Sequence, residues 1–255
     1  MCLIVFANNY HPKYKLIFAA NRDEFYNRPS SAAGFWKENS EILAGRDLQA
    51  GGTWMGITKK GKFAAITNFR DLKNHRNDAP SRGKLTLDFL ANHFYPEEYY
   101  SLLKSDLNKF NGFNLILGNI DELYYFSNKN EELKKLEPGI HGISNAVLNT
   151  PWPKVEKSKK QLKALLGQNE IHPHEVMNIL YDKNKAADDM LPDTGVGIEL
   201  ERMLSPVFIK SEKYGTRCST VVLVDRDNTV LFIEKSYLPE EDEFSTIEFN
   251  FKLEN

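Results

Sequence analysis

Residues 2–7 form an unbroken apolar run rich in β-branched and aromatic side chains, and residues 14–20 form a second, interrupted only by Lys15. A polar turn, Asn8-Asn9-Tyr10-His11-Pro12, separates them. Two such runs around a turn predict a hairpin. Neither run alternates, so both faces of its sheet must be covered. The grammar repeats at 53–58 and 62–67 across Lys59-Lys60-Gly61, and at 113–118 and 122–126 across Asn119-Ile120-Asp121. It appears a last time at 217–224 and 229–236, across Asp225-Arg226-Asp227-Asn228. Residues 247–253 alternate with period two, which predicts a final strand.

Helical spacing appears in 83–93, where Leu85 and Phe89 stand four apart and Leu87 and Leu90 three apart. Residues 96–107, 154–166 and 173–181 are also read as helices, and 182–197 as a loop. Strands, then helices, then strands predict an α+β fold with helices packed outside antiparallel sheets. Two sheets face to face, each covered by helices, explain strands apolar on both sides. No long linker divides the chain, so residues 1–255 are expected to form one domain.

Composition narrows the class. With 41% hydrophobic and 27% charged residues, a sizeable core and a solvated surface are both accessible. The net charge is −2 and basic residues lie scattered among acidic ones, so no nucleic-acid face is expected. No stretch approaches the apolar length of a membrane span, and the N-terminus lacks the features of a signal peptide. Cys2 and Cys218 make no disulfide framework, and a cytoplasmic protein is expected.

Cys2 is the most informative position. Methionine is removed ahead of small residues, and the new N-terminus would carry an α-amine and a thiol together. Their reference pKa values of about 8 and about 8.5 let the amine accept the thiol proton near neutrality. The competing reading is a small hydrophobe on an apolar strand. Asn21-Arg22-Asp23-Glu24 follows the second strand, either as a solvated turn or as a polar cluster brought back beside Cys2 by the hairpin. A carboxylate there would orient the α-ammonium, and Arg22 would face Asp23 or an anionic substrate. In Gly51-Gly52-Thr53-Trp54-Met55-Gly56, Trp54 is either core or cleft wall. Asn68 and Asn145 end strands, where amides form turns or donate to an oxyanion. Arg217 is read as opening a strand. His172-Pro173-His174 has no third ligand in view, and no metal site is expected.

As a set, these segments resemble the NRDE family, to which the eukaryotic transport and Golgi organisation protein 2 belongs. The resemblance runs through Asn21-Arg22-Asp23-Glu24, Gly51 to Gly56, Thr67-Asn68-Phe69-Arg70, Ser144-Asn145, Asn149-Thr150-Pro151-Trp152-Pro153-Lys154 and Tyr214-Gly215-Thr216-Arg217. The chain is more distantly similar to the choloylglycine hydrolase and penicillin V acylase family. Those enzymes have a four-layer αββα sandwich and cleave non-peptide amides with an N-terminal cysteine. That likeness implies Cys2 as nucleophile, Asp23 as its orienter, Asn68 and Asn145 as oxyanion and substrate contacts, and Arg217 as support for the thiolate. Asn21, Arg22, Trp54 and Arg70 would contact substrate. The hydrolases carry an arginine where this chain has Ala20, and Arg22, two residues on in an extended strand, would point to the same side. No cofactor is required by this chemistry. The expected partner is a small-molecule substrate, or, by the NRDE resemblance, a haem or acyl ligand held in the same cleft.

Overall fold

A computed structural model describes residues 3–237 and 244–254. The first hairpin is β1 (Leu3–Asn8) and β2 (Tyr14–Phe25). It is followed by β3 (Ser30–Phe35), β4 (Ile42–Asp47), β5 (Met55–Thr58) and β6 (Lys62–Asn68). Helices α1 (Gly83–Ala91) and α2 (Pro96–Leu103) precede β7 (Phe113–Asn119), β8 (Glu122–Ser127), the short β9 (Lys134–Lys135) and β10 (Gly139–Ile143). Helices α3 (Pro153–Leu165), α4 (Pro173–Ile179) and α5 (Ile198–Leu204) come next. The chain closes on β11 (Tyr214–Asp225), β12 (Thr229–Tyr237) and β13 (Phe244–Lys252).

Two antiparallel sheets result, in the orders β10-β1-β2-β11-β12-β13 and β3-β4-β5-β6-β7-β8-β9. Strand alternation explains the layers. On β1 and β2, Ile4, Phe6, Phe18 and Ala20 meet Met55, Ile57, Phe63 and Ile116 of the second sheet. Their neighbours Leu3, Val5, Ile17 and Ala19 pack instead on Val155 and Leu162 of α3 and Val176 of α4. The second sheet is covered likewise, with Ala64, Ile66, Leu115 and Leu117 against Leu85 and Phe89 of α1. Helices, sheet, sheet and helices therefore stack as an αββα sandwich, as expected. Phe6, Phe18 and Phe63 are fully buried between the sheets. Each stabilises the fold by roughly 1.5–3 kcal/mol.

The structure corrects three readings. Asn21 to Glu24 is not a turn after β2: the strand continues through it, because each residue has a partner on β11. Arg217 does not open β11 but lies within it, where the register shifts between Thr216 and Cys218. Three strands, β3, β4 and the short β9, and helix α5 lie where no element was read. The sequence of β3, Ser-Ser-Ala-Ala-Gly-Phe, has little apolar bulk, and α5 leaves Ile198 and Leu200 exposed and buries a glutamate instead.

Candidate active site

The polar stretch of β2 divides by strand parity. Asn21 is fully buried and faces the helical layer. Its Nδ2 donates to Leu180 O at 2.9 Å and Val207 O at 2.8 Å, and its Oδ1 accepts from Ser219 Oγ at 2.6 Å. Expected to touch substrate, it instead ties β2 to the end of α4, to the segment after α5, and to β11. Arg22 points the other way, on the same side as Ala20, with its guanidinium 4.3 Å over the Trp54 ring. Asp23 is 3% exposed, and its Oδ1 accepts from Thr216 Oγ1 at 2.6 Å. Thr216 Oγ1 in turn accepts from Ile209 N at 2.9 Å. Thr216 thus orients the carboxylate. Nothing in the segment Tyr214-Gly215-Thr216-Arg217 marks this threonine for that role until β11 pairs with β2.

Two glycines set Trp54 in place. A Cβ on Gly45 would stand 2.3 Å from the indole, so only glycine leaves room for the ring. A Cβ on Gly52 would stand 2.5 Å from the backbone of Gly83, where α1 begins. Close backbone approach there brings the Trp54 segment against the helix start, and Thr53 N donates to Gly83 O at 3.2 Å. The Trp54 indole N–H has no acceptor among the described residues.

Asn68 ends β6, and its side-chain amide has no hydrogen bond among the described residues. Its carbonyl accepts from Asn145 Nδ2 at 3.0 Å. Asn145 does not end a strand as expected but lies two residues beyond β10, and the Arg70 backbone N–H donates to its carbonyl at 2.7 Å, which clamps the segments leaving β6 and β10 together. Arg70 Nη2 approaches Asn145 Oδ1 at 3.4 Å, and its Nη1 donates to Glu201 Oε2 at 2.7 Å. Arg70 also lies 5.0 Å over the Trp152 ring. Glu201, on α5, was invisible in the sequence because its charged partner Arg70 is remote in the chain.

Arg217 Nη1 donates to the carbonyls of Phe25, Tyr26 and Arg28, which holds the turn leaving β2. Desolvation and the nearby charge of Arg22 lower its pKa from the usual guanidinium value. Behind Arg22, Cys218 is buried and burial pushes its thiol well up. Glu234 is 1% exposed and also raised, chiefly by desolvation. It accepts from Ala33 N at 2.8 Å and Thr220 Oγ1 at 3.2 Å.

The site opens into a cleft with two halves, each of about 370 Å³. The polar half is lined by Arg22, Glu24, Arg28, Asp47, Trp54 and Arg82 among others. The apolar half is lined by Phe25, Phe69, Leu72, Leu200, Met203 and Tyr214 among others, with Arg70 and Asn145 at its wall. Asn68, His75, Arg82 and Asn111 border both halves. Cys2 lies outside the described residues. The next residue in the chain, Leu3, begins β1 opposite Asn21. His172 and His174 pack on each other, ring centroids 5.7 Å apart. Among the described residues no cluster of three or more metal-ligating side chains occurs. None of their helices is long and apolar enough to cross a membrane.

The layers, with a polar cleft at their strand ends, define a four-layer αββα sandwich of two antiparallel sheets flanked by helices. The family follows from sequence: the chain belongs to the Transport and Golgi organisation 2 family, whose model matches residues 1–239. It is 36% identical to the Transport and Golgi organization 2 homolog of Mus musculus, over 99% of this chain and 100% of that one. It is 35% identical to the Homo sapiens homolog, over the whole of both chains. Among solved structures it is similar to a variant of conjugated bile acid hydrolase from Clostridium perfringens. That similarity has a TM-score of 0.49 and 12% identity, covering 98% of this chain and 97% of the other.

Proposed function

We propose that this protein is an N-terminal-cysteine amidohydrolase that cleaves the non-peptide C–N bond of a small amide. The observation that carries this reading is the side-chain amide of Asn68, without a hydrogen bond among the described residues, at the junction of the cleft's polar and apolar halves. It stands where an amide with an apolar acyl group and a polar amine would present its carbonyl. The α-amine of Cys2, exposed once Met1 is removed, takes the thiol proton. The thiolate then attacks the carbonyl carbon and a C–S bond forms. Asn68, with Asn145 beside it, donates to the oxyanion. The α-ammonium returns its proton to the leaving amine as the C–N bond breaks. Water attacks the thioester, releasing the carboxylic acid and restoring the thiol. Asp23, oriented by Thr216, holds the α-ammonium, and Arg22 and Arg217 add positive potential that favours the thiolate. Arg22, Trp54 and Arg70 line the cleft as substrate contacts, whereas Asn21 acts only through the strand it fixes.

A panel of N-acyl 4-nitroanilides tests this directly. Wild-type protein should release nitroaniline, and Cys2→Ala should not. Equal release by both proteins, or none by either, contradicts the hydrolase.

One observation favours a second reading, a carrier of haem or an acyl ligand. The apolar half offers Phe69, Leu72 and Met203 to an apolar ligand, and His75 borders it as a residue able to ligate haem iron. Haem titration followed in the Soret band separates the two readings. Saturation lost in His75→Ala supports the carrier, and a flat titration rejects its haem form. The two cysteines and the lack of a disulfide framework favour a cytoplasmic site of action.

A further inference from the structure

We propose that α5 is the wall that sets how long an apolar arm the cleft accepts, and that Glu201 is the positioning residue that holds this wall. The inference rests on the two-part cleft described above, not on turnover. Val196, Leu200, Met203 and Leu204, all on α5 or just before it, line the apolar half. Charged contacts hold this short helix: an exposed ion pair of Arg202 with Asp188, and two that are buried.

The first buried contact is Glu201. It is 4% exposed, and its Oε2 accepts from Arg70 Nη1 at 2.7 Å. Its Oε1 accepts from Thr194 N at 2.9 Å and from Thr194 Oγ1 at 2.5 Å. One carboxylate therefore ties the helix both to the end of β6, through Arg70, and to the loop that leads into it. The second is Lys154, buried, whose Nζ donates to Leu204 O at 2.7 Å. A cation at a helix C-terminus is favourable there, because the last carbonyls lack partners. Trp152 and Lys154 belong to one sequence motif, and both converge on this wall: Trp152 lies under Arg70, and Lys154 holds the helix end.

The same arginine ties the wall to the chemistry. Arg70 contacts Asn145, whose amide holds the carbonyl of Asn68. Glu201 thus connects the far end of the apolar half to the strand ends that would meet the substrate carbonyl. A shift of α5 changes which chain lengths fit. Substitutions at Leu200 and Met203 should change the fit with no effect on folding, since Leu200 is 43% exposed and Met203 lines open space.

The test is a binding ladder on the full chain. Bound cis-parinaric acid is displaced by saturated fatty acids from hexanoate to palmitate. Affinity of the wild type should rise with chain length. Leu200→Trp, which fills the apolar half, should weaken palmitate at least about tenfold and leave hexanoate within about twofold. Glu201→Gln should flatten the ladder about tenfold by loosening the wall for all lengths. If Glu201→Gln does not fold, Leu200→Trp and Met203→Trp decide the matter. A ladder unchanged by these substitutions overturns the proposal, as does the absence of saturable parinaric acid binding to the wild type. A protein that discriminates by length yet turns over no amide overturns the hydrolase alone.

Discussion

Replacing Asn21 with alanine separates two meanings of the same motif. If Asn21 touches substrate, the loss falls on function. If it locks strands, the loss falls on stability. The geometry points to stability. Alanine leaves Leu180 O, Val207 O and the Ser219 hydroxyl without the amide that met them at 2.9, 2.8 and 2.6 Å. Each buried polar group left unsatisfied costs about 1–3 kcal/mol. Partial relaxation and water entry reduce the sum, so about 4 kcal/mol is expected for the three together. At about 3 °C per kcal/mol for a chain of this size, the melting temperature should fall by about 12 °C. Urea and thermal unfolding, each followed by circular dichroism, measure it. Ligand affinity of the protein that remains folded should match the wild type. A variant as stable as the wild type but unable to bind would refute the lock and return Asn21 to the cleft.

Gly45→Ala places a methyl 2.3 Å from the Trp54 ring and must displace the indole. It should cost about 1–3 kcal/mol and red-shift Trp54 emission in a background lacking Trp36 and Trp152; unchanged emission would show that the ring is not confined there. Glu234→Gln tests the buried carboxylate behind Arg22. Burial raises its pKa, so the folded protein keeps the proton to higher pH than the unfolded chain does, and stability is lost as pH climbs above the ordinary glutamate value of about 4.3. The glutamine variant should therefore gain on the wild type between acidic and neutral pH in urea unfolding. A gap that stays constant or narrows would mean that Glu234 folds in its charged form.

The layered fold was legible because continuous apolar strands require cover on both faces, and turns such as Lys59-Lys60-Gly61 mark their ends. The parity argument for Arg22 was legible too: two residues along an extended strand return to the same face, and Arg22 does lie on the side of Ala20, over Trp54. The lock formed by Asn21 was not. Four polar residues after an apolar run look like a turn, and only the pairing with β11 shows that the strand continues. Nor was Glu201 visible. A glutamate in a seven-residue helix reads as solvated surface unless Arg70, far away in the chain, is known to meet it. In so short a helix the stability comes chiefly from tertiary packing, which the local sequence does not show. The division of the cleft into polar and apolar halves has the same origin, since its walls come from loops and helix ends that the apolar pattern does not order.

Intact-mass analysis of the purified protein after brief exposure to an N-acyl 4-nitroanilide tests the central claim most directly. The account predicts a protein that starts at Cys2, with Met1 gone, and carries an acyl adduct that peptide mapping places on Cys2 and that Cys2→Ala lacks. Protein that is active while retaining Met1, or turnover with no adduct at Cys2 under any quench, would contradict it.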